Sequence, residues 1–178
     1  MAKVWEYESN DNDPLAEKVE KDRTIVMTNP EMAKYLIDGI DWVQGETVLE
    51  PCRGDGAFYN NLPDTIEKDW CELNEGRDFL TSDKQFDVVI SNPPFVPRKL
   101  FWTFQQKAME ICKRKIYWLV NLSALNVFTP KRLDEMKDAG WFIQSFNIVA
   151  DKRWFGRYAM IEIGKEDVGI FTWNRKSF

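Results

Sequence analysis

Residues 47–58 read TVLEPCRGDGAF, a short apolar run that leads into a turn with two glycines. The run predicts a buried strand over Thr47 to Pro51, and the turn leads into a predicted helix. Glycines at alternate positions let the backbone adopt positive φ and approach a ligand closely. Alone they are a weak signal, because a plain strand-to-helix turn also contains them and the dinucleotide-binding fingerprint has a third glycine.

Strands and helices alternate along the rest of the chain. Helices are predicted over residues 30–40, 99–113 and 130–139, and strands over 70–73, 86–91, 116–120, 142–149, 158–163 and 168–173. This order predicts an α/β fold: a three-layer α/β/α sandwich around a Rossmann-like sheet, mostly parallel with an antiparallel C-terminal portion. We expect one domain over residues 24–178, preceded by a polar, flexible segment at 1–23.

The composition restricts the chemistry. The chain has no histidine, which excludes histidine bases, histidine metal ligands and histidine-dependent triads. Its cysteines, Cys52, Cys71 and Cys112, are widely spaced and form no C-x-x-C pair, so we expect no metal site and no disulfide framework. We see no signal peptide and no apolar run long enough to span a membrane, and we expect a cytoplasmic location.

The charge is distributed unevenly between the two halves of the chain. Residues 1–96 contain 9 Lys and Arg and 21 Asp and Glu, a net charge of 9 − 21 = −12, whereas residues 97–178 have 15 − 8 = +7. The basic residues of the second half are clustered at Arg98-Lys99, Lys113-Arg114-Lys115, Lys131-Arg132, Lys152-Arg153 with Arg157, and Arg175-Lys176. Such asymmetry fits a nucleic-acid-binding face, and it fits solvated helix ends and loops equally well.

Three polar segments follow predicted strands, after residues 50, 72 and 91. The carboxyl ends of parallel strands meet at one edge of an open α/β sheet, and ligands bind there. At such a position Glu72 can accept hydrogen bonds from ribose hydroxyls, although acids at strand ends are common. Asp78 and Phe79 can hydrogen-bond and stack on an adenine ring, but a turn followed by a core phenylalanine is the simpler interpretation of these two residues alone.

The most specific motif is Ser91-Asn92-Pro93-Pro94-Phe95. Consecutive prolines fix φ twice and remove two backbone donors, which leaves the Pro93 carbonyl without a neighbouring N–H. This carbonyl and the Asn92 side-chain oxygen can accept both hydrogens of an amino group, and Phe95 offers a flat surface for a base. A strand-terminating turn is the alternative interpretation.

Together these motifs resemble those of the class I S-adenosylmethionine-dependent methyltransferases that methylate amino groups. The chain is most similar to the N6-adenine DNA methyltransferases whose cofactor motifs precede the catalytic one. Residues 28–31, TNPE, resemble their N-terminal cofactor motif, and residues 50–58, EPCRGDGAF, resemble their E-P-x-x-G-D-G-A-F loop. The other motifs follow in the expected order, so that the resemblance covers about residues 24–122 and implies a methyltransferase-type sheet.

The resemblance implies S-adenosyl-L-methionine as cofactor and the N6 amine of adenine as target. It gives cofactor-binding roles to Thr28, Glu50, Pro51, Gly54, Gly56, Glu72, Asp78 and Phe79. It gives catalytic roles to Asn92, Pro93, Pro94 and Phe95, with Phe95 stacked on the target base. The implied reaction is direct displacement at the sulfonium methyl, which depends on orientation of the amine and needs no metal.

Further substrate contacts are expected from the basic second half of the chain. The candidates are Arg98, Lys99, Lys152, Arg153, Trp154 and Arg157, where Trp154 or Phe155 would pack on the second face of the base. A hairpin with ordinary aromatic packing is the alternative. We expect no separate target-recognition domain, so base contacts would come from residues 96–101 and 152–158, from a homodimer or from a partner subunit.

The expected partner is nucleic acid, and DNA is favoured over RNA, with a duplex base flipped out of its stack. An RNA adenine methyltransferase stays open, because such enzymes share the same motif. A protein-glutamine methyltransferase is a more distant alternative, since it usually has Tyr at the position of Phe95. A catalytically silent cofactor-binding subunit is the third hypothesis, and the intact Asn92 to Phe95 motif argues against it.

Overall fold

A six-stranded sheet with helices on both faces forms the fold. The computed structural model describes residues 27–152, 156–169 and 172–173. The strands are β1 (Thr47–Glu50), β2 (Glu67–Trp70), β3 (Phe86–Ser91), β4 (Cys112–Asn121), β5 (Phe142–Val149) and β6 (Tyr158–Gly164). The α-helices of this part of the chain are α1 (Pro30–Asp38), α2 (Arg98–Ile111) and α3 (Pro130–Asp138).

The strand order in the sheet is β2-β1-β3-β4-β6-β5. Strands β1 to β4 pair in parallel, and β6 lies antiparallel between β4 and β5. Since β6 is antiparallel to both neighbours, β5 runs in the same direction as β1 to β4. The predicted α/β class, with a mostly parallel sheet and an antiparallel C-terminal portion, is confirmed.

The sheet separates two apolar clusters, because successive side chains of a strand point to opposite faces. On one face, α2, α3 and the 3-10 helix Leu122–Val127 cover residues such as Leu49 and Trp118. On the other face, α1 and the chain around Phe58 cover their strand neighbours, such as Val48. These layers make the three-layer sandwich that the alternation of elements predicts.

Local capping explains where two of the helices begin. Asn29 caps α1 through a hydrogen bond from the Glu31 N–H to its side-chain oxygen, and Pro30 occupies the first helical position. Thr129 caps α3 in the same way, again directly before a proline. Proline suits this position because its missing N–H would have no intrahelical partner there.

Three sequence predictions about local elements are wrong. The strand predicted over 70–73 lies at Glu67–Trp70, since Glu72 instead caps the short 3-10 helix Leu73–Glu75. The helix predicted after the glycine turn is only a 3-10 helix of three residues, Tyr59–Asn61, because Pro63 follows closely and cannot continue a helix.

The third wrong prediction is the strand over 168–173. Its described residues, at 168–169 and 172–173, are not in a strand. Gly169 has a φ of +71°, and its N–H bonds to the Asp167 carboxylate, which makes a turn there.

The predictions for segment 1–23, Arg153, Trp154, Phe155 and Arg175-Lys176 fall outside the described residues. No helix in the described part of the chain is both long and apolar enough to cross a membrane.

Candidate active site

The predicted site residues gather at the carboxyl edge of the sheet, which we define as the edge where β1 to β4 end. The glycine turn follows β1, Glu72 follows β2, and Asn92 to Phe95 follow β3. The β5–β6 connection reaches the same edge, because Asn121 at the end of β4 is paired with Tyr158 at the start of β6. The strand order therefore places these segments side by side, as the sequence predicts.

The glycine turn requires glycine at two positions. Gly54 and Gly56 have φ values of +53° and +83°, which L side chains rarely adopt. A Cβ at Gly54 would lie 3.1 Å from the Met27 sulfur, and one at Gly56 would lie 2.9 Å from Asn60 Nδ2. The Gly56 N–H bonds to the Arg53 carbonyl at 2.8 Å and closes the turn.

Glu72 connects this turn to the end of β2. Its Oε2 accepts a hydrogen bond from the Gly54 N–H at 2.9 Å, and its Oε1 accepts a longer one from the Asn74 N–H at 3.4 Å. An ionised carboxylate has about four acceptor sites, so two remain for a ligand. The geometry is compatible with the predicted ribose-binding role, which stays a prediction.

Glu50 is a buried acid directly before the turn. It is 2% exposed, and its Oε2 accepts a hydrogen bond from the Tyr59 N–H at 2.8 Å. Burial raises the pKa of Glu50 to about 8, against the opposing effects of that hydrogen bond and the Arg53 charge. Even with Arg53 nearby, Glu50 therefore holds a proton near neutral pH, and a further cation close to it would favour its ionised form. Pro51 beside it is buried as well.

Asn92 is oriented by Thr28. Its Nδ2 donates a hydrogen bond of 3.2 Å to the Thr28 hydroxyl oxygen, and Thr28 is 7% exposed. Because the amide nitrogen is engaged, Oδ1 is left as an acceptor, and it makes no hydrogen bond within the described residues. The adjacent Ser91 hydroxyl bonds to the backbone of Cys52, which holds the end of β3 against the glycine turn.

The rest of the motif forms one wall of the site. Pro93 is buried and Pro94 is half-buried, and in the described residues the Pro93 carbonyl accepts no hydrogen bond. The Phe95 ring lies 6.2 Å from the Tyr158 ring in an edge-to-face arrangement. A planar group beside Asn92 would therefore have an aromatic surface next to it.

Asp78 and Phe79 fit the simpler of their two interpretations. The Asp78 carboxylate caps a 3-10 helix by accepting from the Leu80 N–H at 2.9 Å. Phe79 is 2% exposed, and its ring lies 5.1 Å from Phe104 in the core. Their contact with a cofactor adenine stays a prediction.

The structure divides the basic clusters into two groups. The cluster at the start of β4 lies at the opposite edge of the sheet and is paired with acids: Lys113 with Asp87, Arg114 with Glu46, and Lys115 with Glu162. On α3, Lys131 is paired with Glu135, and Arg132 packs over Trp102. These side chains have protein partners, so they give no independent support for a nucleic-acid contact.

The second group lies at the carboxyl edge. Arg98 and Lys99 occupy the first turn of α2, just after Phe95, and Lys152 and Arg157 lie in the β5–β6 connection. All four are exposed, and none of their side chains makes a hydrogen bond or ion pair within the described residues. All four were among the substrate contacts expected from the sequence, and the tertiary contacts distinguish them from the paired clusters at Lys113 to Lys115 and on α3.

Two residues at this edge were missed by the sequence interpretation. Leu73, directly after Glu72, is 71% exposed, and Met27 packs against Gly54. Leu73 could have been noticed because an apolar residue directly follows the acid at the strand end. Nothing in the local sequence indicates the contact of Met27.

The fold is similar to several solved structures, although no protein-family model and no curated protein matches the sequence. TrmN from Thermus thermophilus matches 85% of this chain with 18% identity and a TM-score of 0.61, and the chain spans 53% of that protein. The magnesium protoporphyrin IX methyltransferase ChlM from Synechocystis, solved with bound S-adenosylmethionine, matches 77% of the chain with 10% identity and a TM-score of 0.60, over 79% of its own length. The 23S rRNA methyltransferase ErmE matches 79% of the chain with 14% identity and a TM-score of 0.56, over 69% of its length.

These similarities agree with the observed strand order and with the position of the motifs at the carboxyl edge. The chain therefore has the Rossmann-like fold of the class I S-adenosylmethionine-dependent methyltransferases.

Proposed function

We propose that this chain binds S-adenosylmethionine and transfers its methyl group to the N6 amine of adenine in nucleic acid, DNA rather than RNA. The orientation of Asn92 carries this proposal. Its amide nitrogen is bound by Thr28, so its oxygen is the end that remains to accept a hydrogen bond. An acceptor held in this way suits a donor such as an amino group.

Asn92 and Pro93 hold the amine by accepting both of its hydrogens. Asn92 Oδ1 accepts one, and the Pro93 carbonyl, which no N–H of the described residues satisfies, accepts the other. These bonds draw electron density toward the amine nitrogen and fix its lone pair in one direction. Phe95, supported by Tyr158, provides a surface on which the purine ring stacks.

The bound cofactor supplies an electrophilic methyl group on a sulfonium sulfur. An amine held by Asn92 and the Pro93 carbonyl would bond to the methyl carbon as the carbon–sulfur bond breaks, and the electron pair of that bond would stay on sulfur, which leaves as a neutral thioether. The nitrogen then loses one proton to solvent. This chemistry needs no histidine, which fits a chain that contains none.

The residues around the glycine turn fit this cofactor. The free acceptor sites of Glu72 suit ribose hydroxyls, and the exposed Leu73 beside it offers an apolar surface to the adenine ring. The buried Glu50 suits the cationic amino group of the methionine part, because a nearby cation stabilises its ionised form. The tight turn at Gly54 and Gly56 lets the backbone approach the cofactor closely.

Arg98, Lys99, Lys152 and Arg157, which have no side-chain partner in the described part of the chain, support a nucleic-acid substrate. Arg98 and Lys99 lie at the N-terminus of α2, where the helix dipole disfavours cations. A phosphate there would satisfy these cations and the free N–H groups of the first turn together. RNA is a second candidate substrate, and the similarity to a 23S rRNA methyltransferase favours it.

The test is methyl transfer from radiolabelled cofactor to duplex DNA, single-stranded DNA, total RNA and extract protein, offered separately. We expect label on N6 of adenine in DNA, lost on Asn92→Ala and kept in the control Asn147→Ala, which changes an exposed residue of β5. Label only in RNA or only in protein would overturn the DNA claim. If the wild type binds cofactor but labels nothing, the chain is a silent cofactor-binding subunit.

A further inference from the structure

Arg53 belongs to the glycine turn, but its side chain reaches the next strand. Its guanidinium carbon lies 3.7 Å from the centre of the Trp70 ring, at the end of β2, and the same group forms an ion pair with Glu75. One side chain from the loop after β1 thus contacts both β2 and the 3-10 helix that follows it.

A second arginine packs on the same ring. The Arg77 guanidinium carbon lies 4.0 Å from the ring centre of Trp70, and Arg77 forms an ion pair with Asp69. Two planar groups so close to one ring centre do not fit on a single face, so they occupy opposite faces. We call Arg53, Trp70 and Arg77 the arginine–tryptophan stack.

The stack lies beside the contact between the two cofactor-binding segments. The Arg53 N–H bonds to the Cys71 carbonyl at 3.0 Å, and the Arg77 N–H bonds to the Glu72 carbonyl at 3.1 Å. Between them, the Gly54 N–H bonds to the Glu72 carboxylate at 2.9 Å. Any movement of the turn away from β2 would break the stack as well as this bond.

The contact of Arg53 with Trp70 removes part of the guanidinium group from water, which is unfavourable for a charged group. Its Nε is buried and makes no hydrogen bond within the described residues. An exposed surface arginine would keep that nitrogen in water, and ion pairs at a surface contribute little. The Trp70 ring compensates through a cation–π contact, which is stronger for a partly desolvated guanidinium.

We propose that Arg53 is a positioning residue for the cofactor: by stacking on Trp70 it holds the glycine turn against Glu72, and so aims the Glu72 carboxylate at the ribose hydroxyls. This inference rests on the proposed function, since it assumes that S-adenosylmethionine occupies the site. It adds a residue whose effect on affinity is exerted through another side chain.

The test is the affinity for S-adenosylmethionine and S-adenosylhomocysteine, measured by calorimetry on the full chain. Arg53→Met keeps the aliphatic length but removes the planar cation, and we expect about tenfold weaker binding of both. We expect kcat at saturating cofactor and the KM for nucleic acid to stay unchanged. Arg53→Lys restores the charge without the planar group, so it should bind with intermediate affinity.

Lys84→Met is the matched control. Lys84 also forms an ion pair with Asp69, at 3.1 Å, but it contacts neither the glycine turn nor Glu72. Its loss should leave cofactor affinity unchanged. A lower unfolding temperature for Arg53→Met with unchanged cofactor affinity would mean that the stack only supports the fold, and would overturn the inference.

A double-mutant cycle tests whether Arg53 acts through Glu72. If it does, adding Arg53→Met to Glu72→Gln costs little further affinity, whereas independent effects would multiply and contradict the inference. A wild type that binds cofactor but transfers no methyl group would refute the proposed function. The inference about Arg53 would then be tested by the affinities of the variants alone. A wild type that binds no cofactor would refute both.

Discussion

At the scale of single residues, the Thr28 hydroxyl has a role that the motif resemblance does not imply. The resemblance assigns Thr28 to the cofactor, whereas the structure shows its oxygen bound to the Asn92 amide nitrogen. The two residues are 64 positions apart in the chain. Thr28 thereby orients the side chain of Asn92, the residue that we propose to hold the target amine.

Thr28→Val removes the hydroxyl but keeps the shape of the side chain. Without it the Asn92 amide can rotate, so we expect kcat to fall about 3- to 10-fold, the effect of one hydrogen bond, while cofactor affinity is unchanged. Steady-state kinetics and calorimetry measure the two quantities. Thr103→Val, on the exposed side of α2, serves as the control. Weaker cofactor binding at an unchanged kcat would show that Thr28 is only a cofactor ligand.

Glu50 makes stability depend on pH in an unusual direction for an acid. Burial raises its folded pKa from 4.5 to about 8, so the folded state binds more protons than the unfolded state between these values. The contribution of Glu50 to stability is therefore complete below about pH 4.5 and is lost as the pH rises through about 8.

Glu50→Gln should remove this dependence. The amide cannot ionise, so the variant should gain unfolding free energy relative to wild type as the pH rises from about 5 to about 9. Urea denaturation at several pH values measures the difference. Saturating cofactor should reduce it, if the cofactor amino group stabilises the ionised carboxylate. A difference that is constant across this range would contradict the high pKa.

At the scale of elements, the turn after β1 depends on its glycines for two reasons, conformation and space. Gly56→Ala imposes a positive φ on alanine and places its Cβ 2.9 Å from Asn60 Nδ2. Gly76→Ala imposes a similar φ, but no atom lies within 4 Å. We expect Gly76→Ala to cost about 1 kcal/mol of unfolding free energy, and Gly56→Ala more, together with weaker cofactor binding. Equal costs in denaturant titrations would mean that the contact with Asn60 is unimportant.

The first turn of α2 presents two opposing effects. Arg98 and Lys99 are unfavourable at the positive end of a helix, so replacing both with Gln should stabilise the protein by about 0.5 to 1 kcal/mol. The same change should weaken nucleic-acid binding and reduce the slope of log affinity against log salt by about 1.5 to 2. Lys113→Gln, which breaks the ion pair with Asp87 at the opposite edge, should leave that slope unchanged. An unchanged slope for the double variant would exclude these two residues from the nucleic-acid face.

At the scale of the whole molecule, the fold gathers the proposed cofactor residues, which follow β1, β2 and β3, at one edge. A ligand that contacts all three connections must stabilise the folded state. At a cofactor concentration of about 100 times its Kd, we expect a gain of about 2.7 kcal/mol in unfolding free energy. Thermal unfolding with increasing S-adenosylhomocysteine checks this. An unfolding temperature that does not depend on the ligand would contradict the proposed cofactor.

The sequence by itself determined the class of the fold and the order of its motifs. The signals for these are local: an apolar run such as Phe86–Ser91 is a strand that consecutive prolines end, and Asn29 and Thr129 cap helices that start at the next residue. The sequence did not predict β2 at its correct position. Glu67–Trp70 has three charged residues out of four, so it lacks the apolar pattern from which a strand is predicted.

Only the tertiary structure decided which side chains meet. The sequence placed Glu72 and the glycine turn at one edge, but the hydrogen bond between Glu72 and Gly54 follows from the parallel pairing of β1 with β2. It named Arg98 and Lys99 as substrate contacts, and the structure shows that their side chains make no ion pair within the described residues, whereas strand pairing matches Lys115 with Glu162. Contacts between residues far apart in the chain depend on strand order and register, and the periodicity of a single segment contains no information about either.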